Sequence, residues 1–500
     1  MSDTDTRYES CRAELEVRGQ AHVLAGWHRL TDSERGQLLS EIESIPWQRV
    51  APLIPTHVRS KPDEAVLENL EPAPFFQAVP TSAAQRTRYR EAAALGRQCL
   101  RDGRVAAFTV AGGQGSRLGV EGPKGCVAVT PVRKKPLFQL FAETVLAARR
   151  QSGAAIRWYI MTSPANHEDT LAFFERHGYF GLPRDDVIAF PQGMLPAFDF
   201  DGRILLAEPH RLALAPDGHG GSLRALAGSG ALADMAERGI DIVSYFQVDN
   251  PLVRPFDPLF IGLHASEGSE MSSKVVRKAH DLEKVGNLCL HEGRLEVIEY
   301  SDFPEERARA TNPDGSRTFD LGNIAIHLLD VSFAARLGSG DHELPYHRAE
   351  KKVAFVEFAS GDERAAVVRR SPDEANAVKL ESFVFDAIPL ASNPILLEVE
   401  REEEFSPIKN PDSAASDSAA TAVRDLLRRA ACWLEAAGAV IPRGPEGEPL
   451  VRVEIAPSYA LAKDDMPEAA SRARFVEGED VYLDSTADST ADSRSDSSAD

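Results

Sequence analysis

The residues with the clearest chemical content lie in one run, AGGQGSRLGVEGPKG, over positions 111–125. Gly112, Gly113 and Gly115 give the main chain access to conformations closed to other residues. They also remove side chains, so that backbone N–H groups can face a ligand. Arg117 and Lys124 add two cations on either side of Gly119 and Gly122. Backbone donors followed by two cations suit a polyphosphate, which needs both directional hydrogen bonds and charge neutralisation. A Gly-rich structural turn is the plain alternative for the loop taken alone.

Two common phosphate loops are excluded by spacing. A dinucleotide fingerprint started at Gly113 requires glycine at position 118, where Leu118 stands, and Gly119 comes one place late. A P-loop requires Gly-Lys-Ser/Thr, whereas Lys124 follows Pro123 and precedes Gly125. The misplaced third glycine also argues against a nicotinamide-dependent dehydrogenase.

These residues need elements that hold them. Val105–Val110 is a short apolar run that reads as a buried strand ending in the glycine loop, and Ile156–Thr162, Val187–Phe190 and Ile242–Val248 read the same way. Stretches 138–150, 167–177 and 222–238 have helical periodicity. The alternation over 104 to 390 predicts an α/β fold: an open, mixed but mainly parallel sheet with helices on both faces. Ligands of such sheets bind beyond the carboxyl ends of the strands, so the glycine loop and Asp249-Asn250 are expected to face one pocket.

Residues 1–100 are expected to be mainly helical. Thr31 to Glu34 has capping-box spacing, and Leu38, Leu39, Ile42 and Ile45 follow on one face until Pro46. The domain reading is a helical region 1–100, a central α/β domain 101–400 that carries the glycine loop, a small α+β domain 401–483 and a Ser/Asp tail 484–500. Asp412 to Ala420 reads as a linker, and 421–437 as a helix with Trp433 and Leu434 on its apolar face. The tail repeats S-x-x-D from Ser485 to Asp500 and is expected to be disordered, because it has no apolar side chain larger than alanine to bury.

Composition narrows the function further. A formal charge of −21 opposes non-specific nucleic-acid binding. An anionic substrate must therefore meet a local cationic pocket. Cys11, Cys99, Cys126, Cys289 and Cys432 are scattered, with no C-x-x-C pair, so neither a disulfide framework nor a zinc site is indicated. The start, MSDTDTRYES, has no leader-like apolar core, and no run has membrane-spanning length. A soluble, cytoplasmic protein with no nucleic-acid or membrane partner is expected.

The loop resembles the signature of the UDP-sugar pyrophosphorylases, specifically the eukaryotic-type UDP-N-acetylhexosamine pyrophosphorylases. PQGMLPAFDFDGRILL (191–206), APDGHGGSLRAL (215–226), VDNPLVRPFDPLFIG (248–262), EVIEYSDF (296–303), GNIAIH (322–327), LPYHRAEKK (344–352), KLESFVFD (379–386) and EEFSPIKN (403–410) are similar to that family's blocks, in its order. The likeness covers roughly residues 30 to 460.

The resemblance implies a Rossmann-like nucleotide-diphospho-sugar transferase fold and a uridylyltransferase. UTP and N-acetylglucosamine 1-phosphate would give UDP-N-acetylglucosamine and pyrophosphate by in-line attack on the α-phosphorus, with Mg as cofactor. The attacking phosphate is already anionic, so the protein need supply only alignment and charge neutralisation. By the resemblance, Val110, Ala111, Gly112 and Gly113 form the nucleotide loop, and Lys124 contacts phosphate. Arg117, in the same loop, is placed on the β- and γ-phosphates or the transition state. Gln192 reads uracil, for which an amide suits both the carbonyl and the N–H. Gly218 brings backbone against the base. Asp249 meets the nucleotide and its magnesium, an ion content with one carboxylate plus phosphate oxygens and water. Glu299 and Tyr300 contact the sugar, Asn323 lies near its acetamido group, and Gly286 leaves room for that group. Lys379 contacts the UTP phosphates and Lys409 the sugar phosphate. Read alone, Lys124, Lys379 and Lys409 are equally surface charges, Gln192 a loop hydrogen bond and Asp249 a turn residue.

Two departures bear on the sugar. His219 stands where the N-acetylhexosamine enzymes usually carry Asn, and Gly-His-Gly resembles the UDP-glucose branch. Asp320-Leu321 replaces the more usual Asn-Ala. His219 is assigned to sugar or base contact, and His327 and His347 to structural roles. A UDP-glucose or broad-specificity UDP-sugar pyrophosphorylase is the nearest alternative. A non-catalytic UDP-sugar binding protein is the alternative of another class.

Overall fold

In a computed structural model of the chain, residues 3–62, 67–340, 344–358 and 367–485 are described. Most of the Ser/Asp tail, 486–500, lies outside them. The chain divides into two units that interleave along the sequence, whereas composition suggested consecutive ranges. The smaller unit takes Met1–Val66, Gln192–Arg224 and Glu343–Asp386, and the larger takes Leu67–Pro191, Ala225–His342 and Ala387–Asp500.

The larger unit is built on a ten-stranded sheet. Val105–Val110, an almost fully buried apolar strand, pairs in parallel with Ile242–Gln247 on one side and Trp158–Thr162 on the other; Val187–Pro191 extends the parallel run. Strands buried on both faces read as continuous apolar runs, which is why the first three are visible in the sequence; Val187–Pro191, at the sheet's edge, is only partly buried. Beyond Ile242–Gln247 the sheet turns antiparallel, through Leu321–Asp330 to Asn287–His291 and Met271–Arg277. Leu137–Ser152 and His167–Arg176 are the predicted helices of this unit, and Phe138, Phe141 and Phe174 pack from them onto Trp158 and Phe246. The helix expected over 222–238 is two, Gly221–Gly228 and Ala231–Glu237, broken at Gly230, whose φ of 80° suits glycine. Toward the C-terminus, Ala419–Ala436 is helical and capped by Ser418, and Arg452–Ile455 pairs in parallel with Asp480–Leu483.

In the smaller unit the capping box Thr31–Glu34 starts the helix Asp32–Glu43 as the spacing predicts. Its Leu38, Leu39 and Ile42 are buried in one core with Trp27, Trp47, Phe198 and Leu380. Ala377–Glu381 pairs antiparallel with His347–Lys351. Among the described residues no helix is long and apolar enough to cross a membrane, and all five cysteines are free.

Candidate active site

Register decides where the chemistry gathers. Val110 pairs with Gln247 across two parallel strands, and Val248 N–H donates to Val110 O at 3.0 Å. Ala111-Gly112-Gly113 and Asp249-Asn250 therefore leave the sheet side by side at its carboxyl edge, as expected for an open α/β sheet. The loop closes on itself: Lys124 N–H donates to Gly113 O at 3.1 Å and Gly115 N–H to Gly122 O at 2.8 Å. One expectation is corrected here. Gly112, Gly113 and Gly115 do not use left-handed backbone, whereas Gly119 and Gly122 do, with φ of 75° and 96°. Gly115 is required instead by close approach, since a Cβ there would stand 2.9 Å from Val120 O.

This closure swings Lys124 back over the strand ends. Its Nζ lies 3.3 Å from Asp249 Oδ2 and 3.2 Å from Ile408 O. Asp249 is buried, and its Oδ1 makes no hydrogen bond among the described residues. Segment 404–409 is tied to the same edge: Asn250 Nδ2 donates to Glu404 O at 2.7 Å, Ser406 N–H to Asn250 Oδ1 and Ile408 N–H to Asp249 O. Lys409 follows, its N–H on Asp417 O at 2.7 Å. Burial raises the Asp417 carboxyl pKa, against the opposing pull of Lys409; the Asp249 charge raises it further. Lys124, Lys409 and Asp249 thus share one corner of the larger unit. Arg117 is exposed in the single turn Ser116–Leu118 and makes no ion pair among the described residues.

Sequence reading missed Asn166. This buried amide holds the glycine loop from below, donating to Ala111 O at 3.0 Å and Gly113 O at 3.2 Å. Its only signal is its place just before the helix His167–Arg176.

Gly286, Glu299 and Asn323 form a second group in the larger unit. Asn323 N–H donates to Gly286 O at 2.9 Å, and a Cβ at Gly286 would stand 2.5 Å from Val297 Cγ1, 3.7 Å from Asn323 Cβ and 3.8 Å from Glu299 Oε1. Glycine is therefore required there by space. Tyr300 is 47% exposed beside them. The Asp320-Leu321 departure has a structural account: Asp320 sits between Arg277 at 3.4 Å and Arg317 at 3.1 Å, and Leu321 is in the core.

The smaller unit holds the remaining predicted residues. Gly218 has φ of 82°, and a Cβ there would stand 2.2 Å from Ser382 O, so only glycine fits. Asp217, cradled by Gly193 and Gly221, pairs with Arg224 at 3.0 Å, and burial raises its pKa despite that partner. His219 Nδ1 accepts from Val384 N–H at 3.1 Å and its ring packs on Phe383 and Phe385. His347 stacks on Phe383 with Nε2 2.9 Å from Asp386, and in the larger unit His327 Nδ1 lies 2.8 Å from Ser273 Oγ. Gln192 is buried, yet its amide makes no hydrogen bond among the described residues. The amide is not among the fully buried polar atoms that lack a partner, so it stays open to solvent and to the polar edge of a ligand. Lys379 stands in Ala377–Glu381 opposite Ala349 and makes no ion pair among the described residues.

The residues present fit a divalent ion of the magnesium type. Among the described residues no three His, Cys, Asp or Glu side chains form a metal cluster. One buried carboxylate with a free oxygen, beside the Lys124 ammonium, matches an ion held mostly by substrate oxygens and water.

Comparison with known proteins bears on this arrangement. A model of the family described as UTP–glucose-1-phosphate uridylyltransferase matches residues 68–433. The chain is 39% identical over 453 residues to the UDP-N-acetylhexosamine pyrophosphorylase-like protein 1 of Xenopus tropicalis, covering 87% of this chain and 86% of the relative. It is 35% identical to the UDP-N-acetylglucosamine pyrophosphorylase of Saccharomyces cerevisiae, covering 90% and 94%. Among solved structures, the uridine diphosphate N-acetylglucosamine pyrophosphorylase of Trypanosoma brucei in complex with inhibitor superposes with a TM-score of 0.76 at 27% identity, covering 94% of this chain and 95% of that one.

Proposed function

The chain belongs to the UTP–glucose-1-phosphate uridylyltransferase family, and from that premise we propose that it forms UDP-N-acetylglucosamine and pyrophosphate, reversibly, from UTP and N-acetylglucosamine 1-phosphate. The observation that carries the chemistry is the corner where Lys124, Asp249 and the Ile408-Lys409 backbone meet at the carboxyl end of two adjacent parallel strands.

An oxygen of the sugar phosphate attacks the α-phosphorus of UTP. The new O–P bond forms as the bond to the bridging oxygen breaks, and that electron pair leaves on pyrophosphate. No proton need move, so no general base is required. Lys409 holds the attacking phosphate and screens its charge. Lys124, with Arg117, neutralises charge on the triphosphate as it shifts toward the leaving group. Magnesium, held by Asp249 and phosphate oxygens, would supply further charge neutralisation along the same displacement. Asn166 keeps the glycine loop in the shape that presents its backbone N–H groups.

The roles of Gln192 and Gly218 at the uracil, of Lys379 at the UTP phosphates and of Glu299, Tyr300, Asn323, Gly286 and His219 at the sugar are carried over from the sequence resemblance. Gln192's unpaired amide supports the first. The free cysteines support a reducing, cytoplasmic setting.

The test is release of pyrophosphate from purified protein given UTP, magnesium and, separately, the 1-phosphates of N-acetylglucosamine, N-acetylgalactosamine, glucose and galactose. Turnover highest with N-acetylglucosamine 1-phosphate is expected. Preference for glucose 1-phosphate would replace the sugar assignment, and nucleotide binding without pyrophosphate from any of the four would overturn the activity.

A further inference from the structure

Away from the glycine loop, the larger unit contains a cavity of about 670 Å³, within the size range of small-molecule sites. Much of its wall is apolar, with Phe141, Phe256, Leu426 and Trp433 among the lining side chains. Four guanidinium groups also line it: those of Arg97 and Arg101 belong to exposed residues, and those of Arg254 and Arg429 to partly buried ones.

A count of donors and acceptors shows what is missing. Most carboxylates around the cavity already have donors. Asp257 and Glu404 take Lys274 at 2.8 and 2.7 Å, Glu403 takes Trp433 Nε1 at 2.8 Å, and Glu454 takes the backbone N–H groups of Val132 and Arg133. Those without a donor, Glu400 and Asp464, are exposed. The guanidinium groups of Arg254 and Arg429 are in the opposite condition. Arg254 makes no hydrogen bond among the described residues; its nearest carboxylate approaches are 4.0 Å to Asp257 and 3.9 Å to Glu404. Arg429 uses Nη1 on the carbonyls of Leu252 and Glu403, lies over the Trp433 ring and has no acceptor for its other N–H groups. Burial in this setting lowers its pKa to about 10. Planar, fork-shaped donors beside apolar and aromatic walls select a carboxylate or phosphate on an apolar body.

The cavity is also joined to the catalytic corner. Glu403 and Glu404 border it and begin the segment that Asn250 and Asp249 hold, which ends at Lys409. We propose that this cavity is an effector site for a small organic anion with an apolar, flat body, bound by Arg254 and Arg429, and that segment 403–409 carries its occupancy to Lys124, Asp249 and Lys409. The effector role rests on the activity proposed above, whereas binding does not.

Calorimetry on the full chain with 2-naphthoate tests binding without turnover. One site per chain is expected, retained under saturating UTP and magnesium. 2-Naphthalenemethanol, the same ring without the charge, should bind at least tenfold more weakly. Arg254→Gln should weaken 2-naphthoate at least tenfold, as should Ala93→Phe, which fills the cavity from a half-buried helical position without removing a charge; thermal unfolding verifies that each variant is folded. If Arg254→Gln does not fold, Ala93→Phe decides. Absence of binding at millimolar probe, displacement by UTP, equal binding of acid and alcohol, or undiminished binding by a folded variant would each overturn the site. Pyrophosphate release should change at least twofold with saturating 2-naphthoate in the native chain and stay unchanged in Ala93→Phe. Bound probe with unaltered turnover would overturn the effector role while leaving the activity itself standing.

Discussion

Two lysines of the larger unit meet carboxylates in opposite ways. Lys274 is fully buried and closed: Nζ lies 2.8 Å from Asp257 and 2.7 Å from Glu404, themselves almost entirely buried. Burial works to raise the Asp257 pKa, but the charges of Lys274 and Arg254 outweigh it and hold that carboxyl at about 2. Lys124 keeps 18% of its side chain exposed and has one carboxylate oxygen at 3.3 Å and one carbonyl at 3.2 Å. An ammonium has three donors, and at Lys124 the two contacts among the described residues are longer ones at the mouth of a glycine loop. The closed pair fixes the chain, and the open pair leaves charge available to a substrate. Sequence shows both as Lys and Asp; solvent access separates them.

The comparison can be broken by substitution. Lys274→Met leaves two carboxylates in the core without their cation and should cost about 3–5 kcal/mol of stability, measured by chemical denaturation. A variant as stable as the native chain would mean that the cluster is not closed. Lys124→Ala and Lys409→Ala should do the reverse, lowering turnover by roughly 100- to 1,000-fold with little change in the denaturation midpoint. Lys409→Ala should in addition leave UTP affinity largely intact, because its proposed partner is the sugar phosphate; equal loss of UTP binding would move Lys409 to the nucleotide.

Acidity sharpens the same contrast. His264 is buried, with Nδ1 2.7 Å from Ser272 Oγ, and burial lowers its pKa from the ordinary 6.5 to about 4. The unfolded chain protonates this ring first. Its contribution is therefore complete above pH 6.5 and is lost as pH falls toward 4, by roughly 3 kcal/mol in all. His264→Gln, which cannot titrate, should flatten stability across that window, and an unchanged pH profile would remove the assignment. The smallest effect expected is at an open position in the smaller unit. Gln192→Ala should raise KM for UTP about tenfold, the scale of a hydrogen bond or two, and weaken CTP less. Equal loss with both nucleotides would take the base-reading role away from Gln192.

The parallel strands and the glycine loop were legible because each is encoded locally. An apolar run that ends at Gly-Gly needs no distant partner to be recognised, and the Thr31–Glu34 capping box is complete within four residues. The antiparallel half of the sheet was less so, since its strands carry charges such as Lys274 whose partners lie far along the chain. Asn166 gave almost no sign, because what it does depends on carbonyls more than fifty residues away. Asp320, read as a specificity change, lies between two arginines that only folding brings to it.

What the sequence by itself determined was the set of chemical groups: backbone donors at a glycine loop, a few cations in an acidic chain, and one aspartate after an apolar strand. These follow from residue type and short-range spacing, which folding does not alter. Tertiary structure alone decided which groups carry usable charge. The parallel register of Val110 with Gln247 brings Lys124 to Asp249 across more than a hundred residues, and burial closes the charge of Lys274 while leaving that of Lys124 open, because the strength and availability of a charge depend on the solvent and partners around it.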